Sequence, residues 1–173
     1  ELLENKIQNE ITPEVGMSIV KETIPTIRDL EMKIITNETE IRFITSDVPI
    51  IIINPLGIYS AGLGSVGEVI FFPVSPWKMI FFYDAKLFGK LPDRIYDESV
   101  IGIFNQYQYV SADERLLAKE IEDINRIVNS EELNSKREQF QKTQKTNTID
   151  DGMGTLFAAK ARSIPYYYTV PIL

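Results

Sequence analysis

A chain of 173 residues, 44% apolar and 25% charged, has room for one domain with a real core and too little length for two large ones. It contains neither histidine nor cysteine, which removes Ser-His-Asp and Cys-His nucleophiles, the imidazole general base, disulfides, and zinc sites built on imidazole or thiolate. A net charge of −7 disfavours broad nucleic-acid binding by counterion release, though not a local basic groove; any catalysis must use carboxylates, Lys, Arg, Tyr, hydroxyls or an oxygen-ligated cation.

Residues 1–32 read as helical. Thr12-Pro13-Glu14 supplies an N-cap, a proline at the first helical position and an acid in the first turn, and Val15, Ile19, Val20 and Ile24 follow at helical spacing. Pro25 should kink or end that helix. The chain opens at Glu1 with no signal peptide in view, and its apolar runs are too short for a bilayer span. The expectation is a cytoplasmic protein, and a fragment of a longer one.

From Lys33 to Tyr83 the period becomes that of strands. Lys33–Ile35, Ile41–Ser46, Ile50–Asn54, Glu68–Phe72 and Lys78–Tyr83 are rich in Ile, Val, Phe and Tyr and bounded by turn residues. Asn37-Glu38-Thr39-Glu40 reads as a hairpin turn between the first two. The short connections leave no room for crossover helices, so the sheet should be largely antiparallel. Ile50–Ile53 does not alternate, as expected of a strand covered on both faces.

Gly62-Leu63-Gly64-Ser65-Val66-Gly67 spells a phosphate-cradle motif, and Val69 extends it to the form of the kinase glycine-rich loop. A strand follows the glycines where a dinucleotide site needs a helix, and the kinase His-Arg-Asp and Asp-Phe-Gly elements are lacking. The segment reads as a loop joining two strands.

Helical periodicity returns after Pro92, with Val100, Ile103, Phe104 and Tyr107 on one face and Asp97 or Asp93 as caps. Ser111-Ala112-Asp113-Glu114 has the form of a capping box, predicting a further helix faced by Leu116, Leu117, Ile121, Ile124 and Val128. Residues 131–163 read as a polar helix and linker, and 164–173 as an apolar tail docking on a domain of residues 1–130. The predicted fold is α+β: a largely antiparallel sheet of about five strands, packed against an N-terminal helix and two C-terminal helices.

Four pieces occur in order: Phe43-Ile44-Thr45-Ser46-Asp47-Val48-Pro49; Phe72-Pro73-Val74-Ser75-Pro76 with the strand after it; Asn105; and Ala112-Asp113-Glu114-Arg115. The order resembles the domain-of-unknown-function family numbered 4238, over about residues 30–120. Its pattern runs roughly F-x-T-S-D-x-P, P-L-S-P, N, then A-x-x-R or A-x-R. Val48 stands where that family commonly places Asn, and its upstream half, with a His-containing motif, has no counterpart in a chain without histidine. The resemblance implies no assigned reaction; it associates the chain loosely with bacterial conflict with phage.

The site expectation centres on Asp47. Thr45 and Asp47 share one face of a strand with Ser46 on the other. Arg115, in the first turn of a helix whose dipole disfavours a cation, calls for a carboxylate, and Asp47 is the partner chosen. Asn105 and Ser75 would complete the network. Two function classes follow. One is a binding or regulatory domain with a buried Asp/Arg/Asn centre and a protein partner, without a membrane role. The other is a metal-dependent nuclease or phosphotransfer enzyme, an anti-phage effector, holding Mg²⁺ or Mn²⁺ through Asp47 and Asp84 of Asp84-Ala85-Lys86. No other cofactor is expected.

Overall fold

Alternating apolar residues through β1 (Glu31–Asn37) and β5 (Lys78–Tyr83) lay down the central pair of a sheet in the computed structural model, which describes residues 24–25, 27–57, 64–143 and the strands 147–150 and 155–158. Between them in sequence come β2 (Thr45–Ser46), β3 (Ile51–Ile53) and β4 (Val69–Ser75); after them come α1 (Ala85–Phe88), β6 (Arg94–Ile95), α2 (Glu98–Ser111), β7 (Leu116–Leu117), α3 (Ile121–Val128), α4 (Glu131–Thr143), β8 (Asn147–Asp150) and β9 (Thr155–Ala158). Residues 12–23 of the helix expected from Thr12, Gly62 of the Gly62–Gly67 motif and the tail 164–173 lie outside the described residues. The reading of helix through residue 32 is corrected, because Glu31 and Met32 already pair with Tyr83 and Phe82.

The α+β expectation and the mostly antiparallel five-stranded sheet hold, with the order β3-β4-β5-β1-β6. Its membership differs. The fifth strand is β6, which runs parallel to β1, and most of Ile41–Ser46 is not strand. Asn37 does make a turn, its Oδ1 accepting from the N–H and hydroxyl of Thr39 at 2.9 and 2.8 Å. That turn sends the chain out of the sheet instead of into a hairpin. β3 and β4 pair antiparallel, so the glycine-rich segment joins two strands, as expected. Pro73 is tolerated because the β4–β5 register shifts between Pro73 and Ser75, and Pro76 and Trp77 then make the hairpin turn.

One face of the sheet packs on α2. Ile35, Ile51, Phe71 and Phe81 are fully buried there against Ile101, Phe104 and Tyr107. The Phe104 ring meets Phe71 edge-on at 4.8 Å and Phe81 at 6.1 Å, the geometry aromatic quadrupoles favour. Each such ring contributes about 1.5–3 kcal/mol by burial, so α2 is the helix the sheet cannot lose. Asp97 caps it as expected, accepting from Ser99 N–H at 2.8 Å. Asp93 pairs with Lys33 instead, at 2.8 Å. From α4, Phe140 joins the main core, and Leu133 packs with Ile44, Tyr109 and Ile127.

The capping-box expectation fails. Ser111 is the last residue of α2 and donates its hydroxyl back to Gln108 O at 3.1 Å. Leu116 and Leu117 form β7, antiparallel to β2, and the next helix begins only at Ile121. Its buried residues are Asp123 and Ile127, while Ile121 is exposed.

Candidate functional site

The segment from Arg42 to Pro49 is held to α2 by two side-chain amides one turn apart. Asn105, buried, accepts from Ile44 N–H at 3.0 Å and donates to Arg42 O at 2.8 Å. It bonds this segment as the peptide group of a neighbouring strand would, which is why Arg42–Ile44 stays extended without a strand partner. Gln108 donates to Pro49 O at 2.7 Å, and its Oε1 faces Ser46 Oγ at 3.1 Å. Ser46 Oγ also accepts from Val48 N–H at 3.2 Å, so Val48 makes its polar contact through the main chain.

Asp47 and Arg115 are brought together, but not as an ion pair. The exposed Asp47 carboxylate accepts from the main-chain N–H groups of Asp113, Glu114 and Arg115, at 3.0, 2.9 and 3.2 Å. These bonds, led by Glu114, hold its carboxyl below the ordinary value. The Arg115 side chain is exposed. With no helix at Ala112–Lys119, there is no dipole to oppose its charge. Asp47 is a cap supplied from 66 residues away to the turn after α2. Two α4 side chains hold the carbonyl side of that turn: Arg137 donates to Ala112 O and Asp113 O at 3.2 and 2.9 Å, and Gln141 to Ala112 O at 3.2 Å. The turn is gripped on both sides.

The ion pair between this segment and a helix is Arg42–Asp123, with Arg42 Nη1 3.3 Å from both carboxylate oxygens and the Arg42 guanidinium 5.7 Å from the centre of the Trp77 ring. Sequence reasoning missed it, along with Gln108 and Arg137. The available signal was a carboxylate, Asp123, on the buried side of an amphipathic helix. Asp84 caps α1, accepting from Lys86 and Leu87 N–H at 2.9 and 3.3 Å. Among the described residues, no group of three or more Asp or Glu side chains is placed to hold a metal ion.

Thr45 and Ser75 meet elsewhere. Both line a groove of about 380 Å³ between the Phe43–Thr45 segment, the Pro73–Pro76 bend and the chain after β7, with Lys119 also lining it. Thr45 Oγ1 is buried and has no hydrogen-bond partner. Ser75 Oγ accepts from Trp77 N–H at 3.2 Å, which uses a lone pair and leaves its proton for another acceptor. Pro73, Pro76 and Leu117 give the groove apolar walls. Two of the sequence pieces that carried the resemblance, from Phe43 and from Phe72, thus form facing walls of one groove. A third, Asn105, and the fourth, from Ala112, fix the first in place.

Among the described residues no helix is long and apolar enough to cross a membrane. No curated protein and no solved structure matches the chain. The sequence model of the family described as Protein of unknown function (DUF4238) matches residues 2–122, reaching further upstream than the four motif pieces do. With that span covering well over half of its length, the chain belongs to the DUF4238 family.

Proposed function

We propose that this chain is a binding domain whose Thr45–Ser75 groove receives a short segment of a protein partner. The observation that carries the reading is the orphaned hydroxyl of Thr45. A buried polar atom without a partner costs free energy, and such atoms are rare enough that each calls for an explanation. A ligand that displaces the groove wall over Thr45 and supplies the missing bond is one, because the hydroxyl is covered in the free chain. The lining fits a bound segment with one apolar side chain and one acceptor or acidic group: proline and leucine walls, the Ser75 hydroxyl, the Thr45 hydroxyl beneath the wall, and the Lys119 ammonium. The conspicuous polar residues outside the groove, Asp47 and Asn105, already bond to main-chain groups of their own chain.

The test is an NMR titration with an N-acetylated dipeptide amide that pairs an apolar with an acidic residue, against a matched apolar–basic one. Saturable shifts at Thr45, Ser75 and Leu117 are expected with the acidic probe only. Thr45→Val, which keeps shape and removes the hydroxyl, should weaken binding by roughly tenfold, equivalent to about one hydrogen bond. Absent shifts, or shifts that Thr45→Val leaves unchanged, would overturn the reading.

A further inference from the structure

A second hollow, of about 580 Å³, lies between the amino-terminal half of α2, the start of α4 and Ile41. It shares no lining residue with the groove at Thr45. The buried Leu133 and half-buried Ile41 and Ile103 give it an apolar floor, and the exposed Glu98 and Glu132 stand on its rim. Among the described residues no lysine or arginine lines it. Gly102 completes the floor. Glycine in a helix interior is disfavoured relative to alanine, and a Cβ built at Gly102 meets no atom within 4 Å. The packing of the chain itself therefore does not call for glycine at this position. Its missing side chain leaves bare helix backbone in the floor, where a group arriving from outside can come close.

We propose that this hollow receives a basic side chain, arginine or lysine, of a protein partner. Charge complementarity selects that occupant. Such a side chain has an alkyl stem, which matches the isoleucine and leucine floor, and a cationic head, which matches the two carboxylates. Among the described residues Glu98 makes no ion pair. Glu132 pairs with Lys136 one turn along α4, but its side chain is 73% exposed. A pair so open to water is weak, and a carboxylate keeps lone pairs for a second cation. A second copy of the chain is a poor occupant, because a net charge of −7 sets acidic surfaces against each other. The inference stands apart from the Thr45 groove, since different residues report on each.

An NMR titration of the full chain with N-acetyl-arginine amide tests this, with N-acetyl-citrulline amide as the uncharged probe of the same shape. Saturable shifts at Gly102, Ile103 and Leu133 are expected with the arginine probe, and clearly weaker binding with citrulline. Glu98→Gln should weaken binding of the arginine probe by roughly two- to fivefold, the worth of one exposed ion pair. Gly102→Leu fills the floor and should abolish the shift at Leu133 without lowering the melting temperature, because leucine suits a helix better than glycine. If that variant unfolds, Glu98→Gln decides alone. Absent shifts, equal binding of the two probes, or binding that Glu98→Gln leaves unchanged overturns the proposal. Shifts confined to Thr45, Ser75 and Leu117 also overturn it, by placing the probe in the other groove. Tighter binding of free arginine than of its amide overturns it as well, and assigns the hollow to a free amino acid.

Discussion

Asp47 and Arg115 are joined through the main chain in both directions: the Arg115 N–H reaches the Asp47 carboxylate at 3.2 Å, and the Asp47 N–H returns to Arg115 O at 3.2 Å. The first is a cap and the second continues the β2–β7 ladder. The guanidinium takes no part in either bond, and that separates two mutations a charge-pair reading would treat as equivalent.

Arg115→Ala should leave stability within about 0.5 kcal/mol, as for an exposed side chain away from special contacts. Asp47→Ala should lower the urea midpoint clearly, and Asp47→Asn by less, because one acceptor oxygen remains. Equal losses for Arg115→Ala and Asp47→Ala would restore the ion pair.

The same cap predicts acid sensitivity. The folded-state pKa of Asp47 lies below its ordinary value, so its contribution is complete above about pH 4 and is lost as pH falls through the folded value. The stability gap between wild type and Asp47→Asn should therefore narrow below about pH 4 and stay constant above about pH 5. A gap that widens on acidification contradicts the cap.

Glu68 has the opposite sign. It is 4% exposed, and burial raises its pKa although it accepts from Gly64 N–H at 2.7 Å. A raised carboxyl costs stability as pH climbs from the ordinary value through the folded one. Glu68→Gln can keep an acceptor for Gly64 without the charge. It should stabilise the protein at pH 7, with the gain disappearing near pH 4, as read by thermal melts across pH.

Asn105→Ala should cost about 2–4 kcal/mol, since it strands the Ile44 N–H and the Arg42 carbonyl together. Asn105→Asp should be comparably harmful despite its shape, because a carboxylate cannot donate to Arg42 O. Chemical denaturation measures both, and an unaffected Asn105→Asp would show that the donor is unimportant.

Thr45→Val separates a site from a scaffold. Removing a hydroxyl that has no partner should leave stability unchanged or raise it by up to about 1 kcal/mol. A loss of more than about 1 kcal/mol would mean that the hydroxyl already supports the fold, and the groove would lose its main argument.

The sequence by itself determined the strand 78–83, a strand within 50–54 that proves to be 51–53, a helix capped by one of Asp97 and Asp93, the α+β class and the exclusion of imidazole and thiolate chemistry, because periodicity and composition are local properties. It also marked Asp47, Asn105, Thr45 and Ser75 as the polar residues to account for. Tertiary structure alone decided what they meet. The Asp47 cap, the strand-like amide of Asn105 and the grip of Arg137 on Ala112 all end on main-chain groups. Every residue carries a main-chain carbonyl and nearly every one an N–H, so such a partner leaves no signature in sequence. Arg115 looked like the match because its side chain is charged, whereas the fold uses its peptide nitrogen. Folding likewise brought Thr45 and Ser75, 30 positions apart, to one groove, which no spacing rule encodes.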